Sequence, residues 1–180
     1  MVNKTEIRIG GSGGQGVVLA AQILGKAAVF DGKNALQTQA YGSEARGSLA
    51  KSEVIISNGK IGFPAVIKCD ILVAMNQEAL SMLIKDLKET GTLIVDSTNV
   101  TTVTESRAKA CTIPISEAAK QAFGETLYAN MVMLGALIRT TGIVRADAVE
   151  KSIRESVPKR TVEVNIRAFK IGLELHAAAP

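Results

Sequence analysis

The feature that most limits what this chain can fold into is the run IRIGGSGGQG at residues 7–16. Ile7 and Ile9 alternate as a buried strand requires, and the glycines that follow free the backbone to take positive φ and to approach a neighbour closely. The next residues, VVLAAQILGKAAVF, put Val17, Ala21, Leu24 and Ala28 on one helical stripe. A strand that turns through glycines into a helix aims the free N–H groups of that helix, and the positive end of its dipole, into the turn. An anion can bind there.

Downstream, Asp31-Gly32 reads as a turn and residues 34–39 as a short second strand with a polar end. Residues 40–51 read as an ordered loop, because Gly42, Ser43 and Gly47 bracket the charged pair Glu44 and Arg46. Residues 52–57, the dipeptide Asn58-Gly59 and residues 60–63 spell a β-hairpin with a type I′ turn. The apolar run DILVAM at 70–75 suits a central parallel strand buried on both faces. Asn76 is expected to cap a helix that buries Ala79, Leu80, Leu83, Ile84 and Leu87 and that Gly91 stops. Residues 92–95 and 110–113 give two more strands. Ser116 is expected to cap a helix to Phe123, and three further helices follow, with Met131 and Leu134, Val149 and Ile153, and Ile166 and Phe169 on their buried stripes.

Strands alternating with helices, then helices alone, specify a three-layer α/β architecture. The expectation is a Rossmann-like, mostly parallel sheet with an antiparallel hairpin and a helical C-terminal part. No repeat or linker interrupts residues 1–180, which read as a single domain. In such sheets ligands gather at the carboxyl ends of the strands, here residues 13–15, Asn76 with Gln77, and residues 96–99.

Composition removes several function classes. The net charge is only +4, and it is local: residues 139–170 hold eight basic against four acidic side chains. Aromatics are 3% of the chain with no Trp, so the basic, aromatic-interleaved face of a nucleic-acid binder is missing. No apolar stretch reaches the roughly eighteen residues of a membrane span, and no signal segment is evident, so a cytoplasmic location without membrane attachment is expected. Cys69 and Cys111 lie far apart with no Cys-x-x-Cys and no neighbouring His. Neither a zinc site nor a cysteine-ligated iron–sulfur cluster can be built from this chain alone.

Gly11, Gly13 and Gly16 satisfy G-x-G-x-x-G between strand and helix. A dinucleotide site also needs an acidic residue at the tip of the second strand, and residues 37–39 are Gln-Thr-Gln. A nucleotide-binding regulator or dehydrogenase module therefore stays open as a competing reading, without its ribose-binding acid, and so does a purely structural role for the glycines. Gln15 at the helix start is suited to reach a bound group or a partner backbone. Arg46 is suited to a carboxylate or phosphate, or equally to an ion pair with Glu44. His176 reads as surface, Met131 and Met133 as core, and Ser97 with Asp96 has no histidine to complete a hydrolase triad. No catalytic set is complete.

The combination of GSGGQG before a small-residue helix with YGSEARG, DILVAMNQEAL and NMVMLGAL resembles the gamma subunit of the 2-oxoacid:ferredoxin oxidoreductases over almost the whole chain. The QTQAYGSEARG and NQEAL forms resemble the 2-oxoglutarate enzymes most. The resemblance implies a complex that decarboxylates a 2-oxo acid on thiamine diphosphate, passes electrons through 4Fe-4S clusters to ferredoxin and transfers the acyl group to coenzyme A. It further implies that alpha, beta and delta-type subunits carry the thiamine and the clusters, and that this chain alone is inactive, with no cofactor or metal of its own. Gly13, Gly14, Gln15, Gly16 and Arg46 would meet coenzyme A, and Ser43, Glu44 and Arg46 the subunit interface. Equivalent subunits of pyruvate, branched-chain or indolepyruvate enzymes remain alternatives, and exposed apolar surface leaves homodimer formation open for the isolated chain.

Overall fold

The computed structural model describes residues 4–41, 49–103 and 108–176. Strand β1 (Lys4–Ser12) leads through the glycine turn into helix α1 (Val17–Phe30), followed by β2 (Asn34–Tyr41) and β3 (Leu49–Ser57). Then come β4 (Cys69–Ala74), α2 (Gln77–Leu83), β5 (Leu87–Asp96) and β6 (Lys109–Ile113). Helices α3 (Ile115–Phe123), α4 (Ala129–Thr141), α5 (Ala146–Ser156) and α6 (Val162–Glu174) complete the order. The strands form one six-stranded sheet in the order β2-β3-β1-β4-β5-β6. β4 is parallel to β1 and to β5, and β5 to β6, whereas β3 runs antiparallel to both β1 and β2. The α/β sheet expected from the alternation of elements is present, with its antiparallel part at one side.

Period two decides what each face of the sheet receives. Ile7 and Ile9 of β1, Val54 and Ile56 of β3, and Ile71 and Val73 of β4 enter the larger core, under α1, α4, α5 and α6. Their neighbours, with Leu72, Ala74, Leu93 and Val95, face the other way, under Ala79, Leu80 and Leu83 of α2 and Val66. The stripe Val17, Ala21, Leu24 and Ala28 of α1 is fully buried, as its spacing requires. α4 and α6 cross at glycines: a Cβ on Gly135 would collide with the Phe169 carbonyl and one on Gly172 with the Val132 carbonyl.

Three local expectations are corrected. Residues 60–63 form no strand, so Asn58-Gly59 closes no hairpin. Both edges of β3 are already occupied, by β1 from Lys4↔Ser57 to Ser12↔Leu49 and by β2 from Asn34↔Ser57 to Tyr41↔Ala50, and Gly59 does not take the positive φ that a type I′ turn requires. The antiparallel hairpin is instead β2 with β3. Gly91 stops no helix. α2 ends at Leu83, a 3₁₀ turn over Ile84–Asp86 reverses the chain, and Leu87 opens β5. Gly91 lies inside β5, beside the register shift between Cys69 and Ile71, where a Cβ would stand 2.8 Å from the Asp70 carbonyl oxygen. Ser116 does not cap α3 with its side chain. It lies inside the helix, and the first turn is capped from the end of β5, Asp96 Oδ1 accepting Ser116 N–H at 3.2 Å and Thr98 Oγ1 accepting Glu117 N–H at 3.1 Å.

Because α1 carries the chain from β1 toward β2 and β3 on one side, and β4 adds on the other, the strand order reverses between β1 and β4. The glycine turn sits at that switch point, where open α/β sheets leave a crevice.

Candidate functional site

The turn depends on glycine at two positions. Gly14 has φ 95° and Gly16 φ 70°, conformations that a side chain strongly disfavours. At Gly16 space is also absent, since a Cβ there would lie 2.9 Å from Asn130 Cγ. Asn130 of α4, itself buried, donates from Nδ2 to the Gly16 carbonyl at 3.4 Å and so supports the turn from beneath.

Gln15 turns inward. Its Oε1 accepts Ser12 N–H at 2.7 Å and Asn76 Nδ2 at 3.3 Å, and its Nε2 donates to the Met75 carbonyl at 3.3 Å. Asn76 donates to Ser12 Oγ at 2.5 Å and caps α2, as its position suggested, by accepting Ala79 N–H at 2.8 Å. These bonds stitch the end of β1 to the end of β4. Gln77 is committed too: its Oε1 accepts the N–H groups of Thr101 and Thr102, each at 3.0 Å.

Two clefts share Gly14 as a common edge. The smaller, about 200 Å³, is bounded by Gly13, Gly16, Val17 and Val18. Its floor is the start of α1, where the first intrahelical bond runs from Ala20 N–H to the Gly16 carbonyl at 3.1 Å, so the N–H groups of Val17, Val18 and Leu19 precede the ladder. That end suits an anion. The larger cleft, about 450 Å³, lies between Gly14 and Gln15 on one side and Asn99, Ser116, Thr126 and Leu127 on the other. Beneath its far wall Asp96, fully buried, accepts Thr98 N–H at 3.1 Å, Asn99 Nδ2 at 2.9 Å, Ser116 N–H at 3.2 Å and Ser116 Oγ–H at 2.5 Å.

Of the residues singled out in the sequence, Gly13, Gly14, Gln15 and Gly16 meet at this one place, with Asn76 and Asn99 beside them. Ser43, Glu44 and Arg46 lie outside the described residues. The carboxyl ends of β1, β4 and β5 do form one edge, as expected. Ser12 and Asn130 were missed, and Ser116 was read only as a helix cap. Asn130 carried a signal, one amide among the apolar side chains of α4, whereas Ser12 carried none.

The described lining of the two clefts holds no histidine or cysteine and a single carboxylate, Glu125. Among the described residues no group of three His, Cys, Asp or Glu could hold a metal ion. His176 is exposed. Burial pushes the Cys69 thiol up to about 11, which keeps it protonated and unreactive. No helix among the described residues is long and apolar enough to cross a membrane.

The family model for pyruvate ferredoxin/flavodoxin oxidoreductase matches residues 6–175. The 2-oxoglutarate synthase subunit KorC of Methanothermobacter marburgensis is 48% identical, over 96% of this chain and 96% of its own length. In the same organism the identity to pyruvate synthase subunit PorC is 34%, over 94% and 96%. The crystal structure of a keto/oxoacid ferredoxin oxidoreductase gamma subunit from Geobacter sulfurreducens matches with a TM-score of 0.84 at 44% identity, covering 94% of this chain and 96% of that one. A 2-oxoglutarate:ferredoxin oxidoreductase from Magnetococcus marinus, solved with 2-oxoglutarate, coenzyme A and succinyl-CoA bound, shares the fold at TM-score 0.86 and 22% identity. It does so over 98% of this chain and 32% of the larger one. The resemblance carried by GSGGQG and its companion motifs is borne out. The chain belongs to the pyruvate ferredoxin/flavodoxin oxidoreductase family, as a gamma-type subunit of a 2-oxoacid:ferredoxin oxidoreductase.

Proposed function

We propose that residues 1–180 act as one gamma domain in a complex that oxidatively decarboxylates 2-oxoglutarate, forming acyl-CoA and CO₂ and reducing ferredoxin. The observation that carries the choice of acid is the 48% identity to the 2-oxoglutarate subunit of one organism against 34% to the pyruvate subunit of the same organism. Alpha, beta and delta-type partners supply thiamine diphosphate and the 4Fe-4S clusters, and the complex works in the cytoplasm. This chain supplies a surface for coenzyme A. The N–H groups at the start of α1, with Gly13, Gly14, Gln15, Gly16 and Arg46, meet the phosphates, and Ser43, Glu44 and Arg46 face the neighbouring subunits. The uncapped helix start at the strand-order switch supports that assignment.

Affinity purification of the tagged chain from its own cells without oxygen tests the reading. The expected product is a brown multi-subunit complex that reduces a viologen dye only with a 2-oxo acid and coenzyme A, fastest with 2-oxoglutarate. Preference for pyruvate or a branched-chain acid would reassign the substrate, and recovery of the chain alone would remove the complex. Arg46→Ala is expected to raise the KM for coenzyme A in an assembled complex.

A further inference from the structure

We propose that Asn99 reads the neutral pantetheine arm of coenzyme A by accepting an amide N–H of that arm, and that Asp96 is the positioning residue behind it. The inference rests on the reading that coenzyme A meets the glycine turn. The two clefts divided by Gly14 differ in chemistry. The α1 side offers backbone N–H groups to an anion, whereas the larger cleft offers carboxamides, hydroxyls and Leu127, which is 64% exposed. Its described lining contains one carboxylate, Glu125, and no lysine or arginine. A phosphate there would face negative charge without a counter-ion. A neutral chain with two amides and a branched apolar segment, which is what pantetheine is, meets suitable partners.

Gln15 and Ser116 of that cleft are already engaged. Gln15 Oε1 accepts from Ser12 and Asn76, and one Nε2 hydrogen goes to the Met75 carbonyl, while Ser116 Oγ donates to Asp96 and accepts from Asn99. Asn99 is different. Its Nδ2 uses both hydrogens, toward Asp96 Oδ2 at 2.9 Å and Ser116 Oγ at 3.0 Å, and no described residue donates to its Oδ1. Turning the amide over would set that oxygen against the Asp96 carboxylate, so Asp96 fixes Asn99 with its acceptor outward. Asp96 is fully buried and receives four hydrogen bonds, which holds it in place. An acceptor set before binding loses little entropy when a ligand N–H arrives.

Calorimetric titration of the assembled complex with coenzyme A, pantetheine and adenosine 3′,5′-bisphosphate tests this. Asn99→Ala is expected to weaken coenzyme A and pantetheine alike, by about five- to tenfold, and to leave the bisphosphate unchanged. Asp96→Asn is expected to weaken pantetheine, and the double variant to bind it no worse than Asn99→Ala, because the two act as one unit. A purely structural Asp96 would lower Tm without moving pantetheine binding. Unchanged coenzyme A binding in Asn99→Ala, a loss confined to the bisphosphate, or a wild-type complex that does not bind pantetheine would each overturn the proposal. Thr126→Trp, which fills the larger cleft, separates the two levels of inference. If it abolishes coenzyme A binding while Asn99→Ala does nothing, only the acceptor assignment falls, and if it too does nothing, coenzyme A does not use this cleft.

Discussion

The two faces of the sheet solve the problem of burial differently. Under α1, α4, α5 and α6 the strands present mainly aliphatic side chains, and coverage is generous enough for α4 and α6 to approach at glycine. The opposite face has one short helix, α2, and carries Glu6, Arg8 and Glu53 among its buried residues. Arg8 binds Glu53 through Nε at 2.9 Å and Nη2 at 2.6 Å, Asp86 through Nη1 at 2.5 Å and the Val66 carbonyl through Nη2 at 2.7 Å. Beside it Lys88 joins Glu6 at 3.2 Å and Asp70 at 2.7 Å. Where helices supply area, apolar packing suffices. Where they do not, an arginine with four of its five N–H groups engaged ties β1, β3 and the turn after α2 together. It also pins register, because Arg8 and Glu53 are directly opposed and a one-residue slip would carry Arg8 to the aliphatic side.

The largest effect that could break this contrast is Arg8→Met, which takes the arginine from Asp86 and leaves Glu53 paired with Lys51, and is expected to cost about 3 to 5 kcal/mol of unfolding free energy in urea titrations. A loss under about 1 kcal/mol would mean that the ion pairs are incidental. On the other face Gly135→Ala forces α4 and α6 apart and is expected to cost roughly 3 kcal/mol, with the helical signal and Tm falling together.

A pH titration then sharpens the contrast. The Cys69 pKa is raised from 9.0 to about 11 in the folded chain by burial. A raised folded pKa gives stability that is complete below the unfolded value and lost as pH rises through the folded one. Unfolding free energy should therefore fall by about 2 kcal/mol between pH 9 and pH 11, and Cys69→Ala should flatten that window. Glu53 behaves oppositely. Burial alone would push its carboxyl up, but hydrogen bonds and charge from Lys51 and Arg8 hold it below the usual range. Its contribution is complete above the unfolded pKa and is lost as pH falls through the folded one. The smallest effect belongs to Ile67, 72% exposed on the thinly covered side, where Ile67→Asn should change stability by less than about 0.5 kcal/mol.

Much of this was legible in the sequence, because local periodicity and tertiary burial agree in α1, β4, α4 and α6. The failures occurred where a local signal met a distant claim. Asn58-Gly59 is a good turn, but both edges of β3 were already taken by strands that the dipeptide cannot sense. The inward bonds of Gln15 could not be read, because its acceptor on Met75 lies 60 positions away. The Arg8 network was invisible for the same reason, its carboxylates being 45 and 78 positions distant. The glycine turn and the strand end at Asp96 and Asn99 were recognisable from their own residues, whereas the bonding of that wall to Ser116 depends on how β5 and α3 meet. Ser43, Glu44 and Arg46 are outside the described residues, and their part in the site stays with the proposal.

Asn130 stands 114 positions after Gly16, yet it is the side chain that fills the space beneath that glycine. During synthesis the signature loop therefore leaves the ribosome long before its support exists. A nascent chain that has not yet extended α4 carries the whole GSGGQG motif but lacks the contact that holds Gly16 in its left-handed conformation. The full set of contacts around Gly16 is thus complete only once α4 has been made.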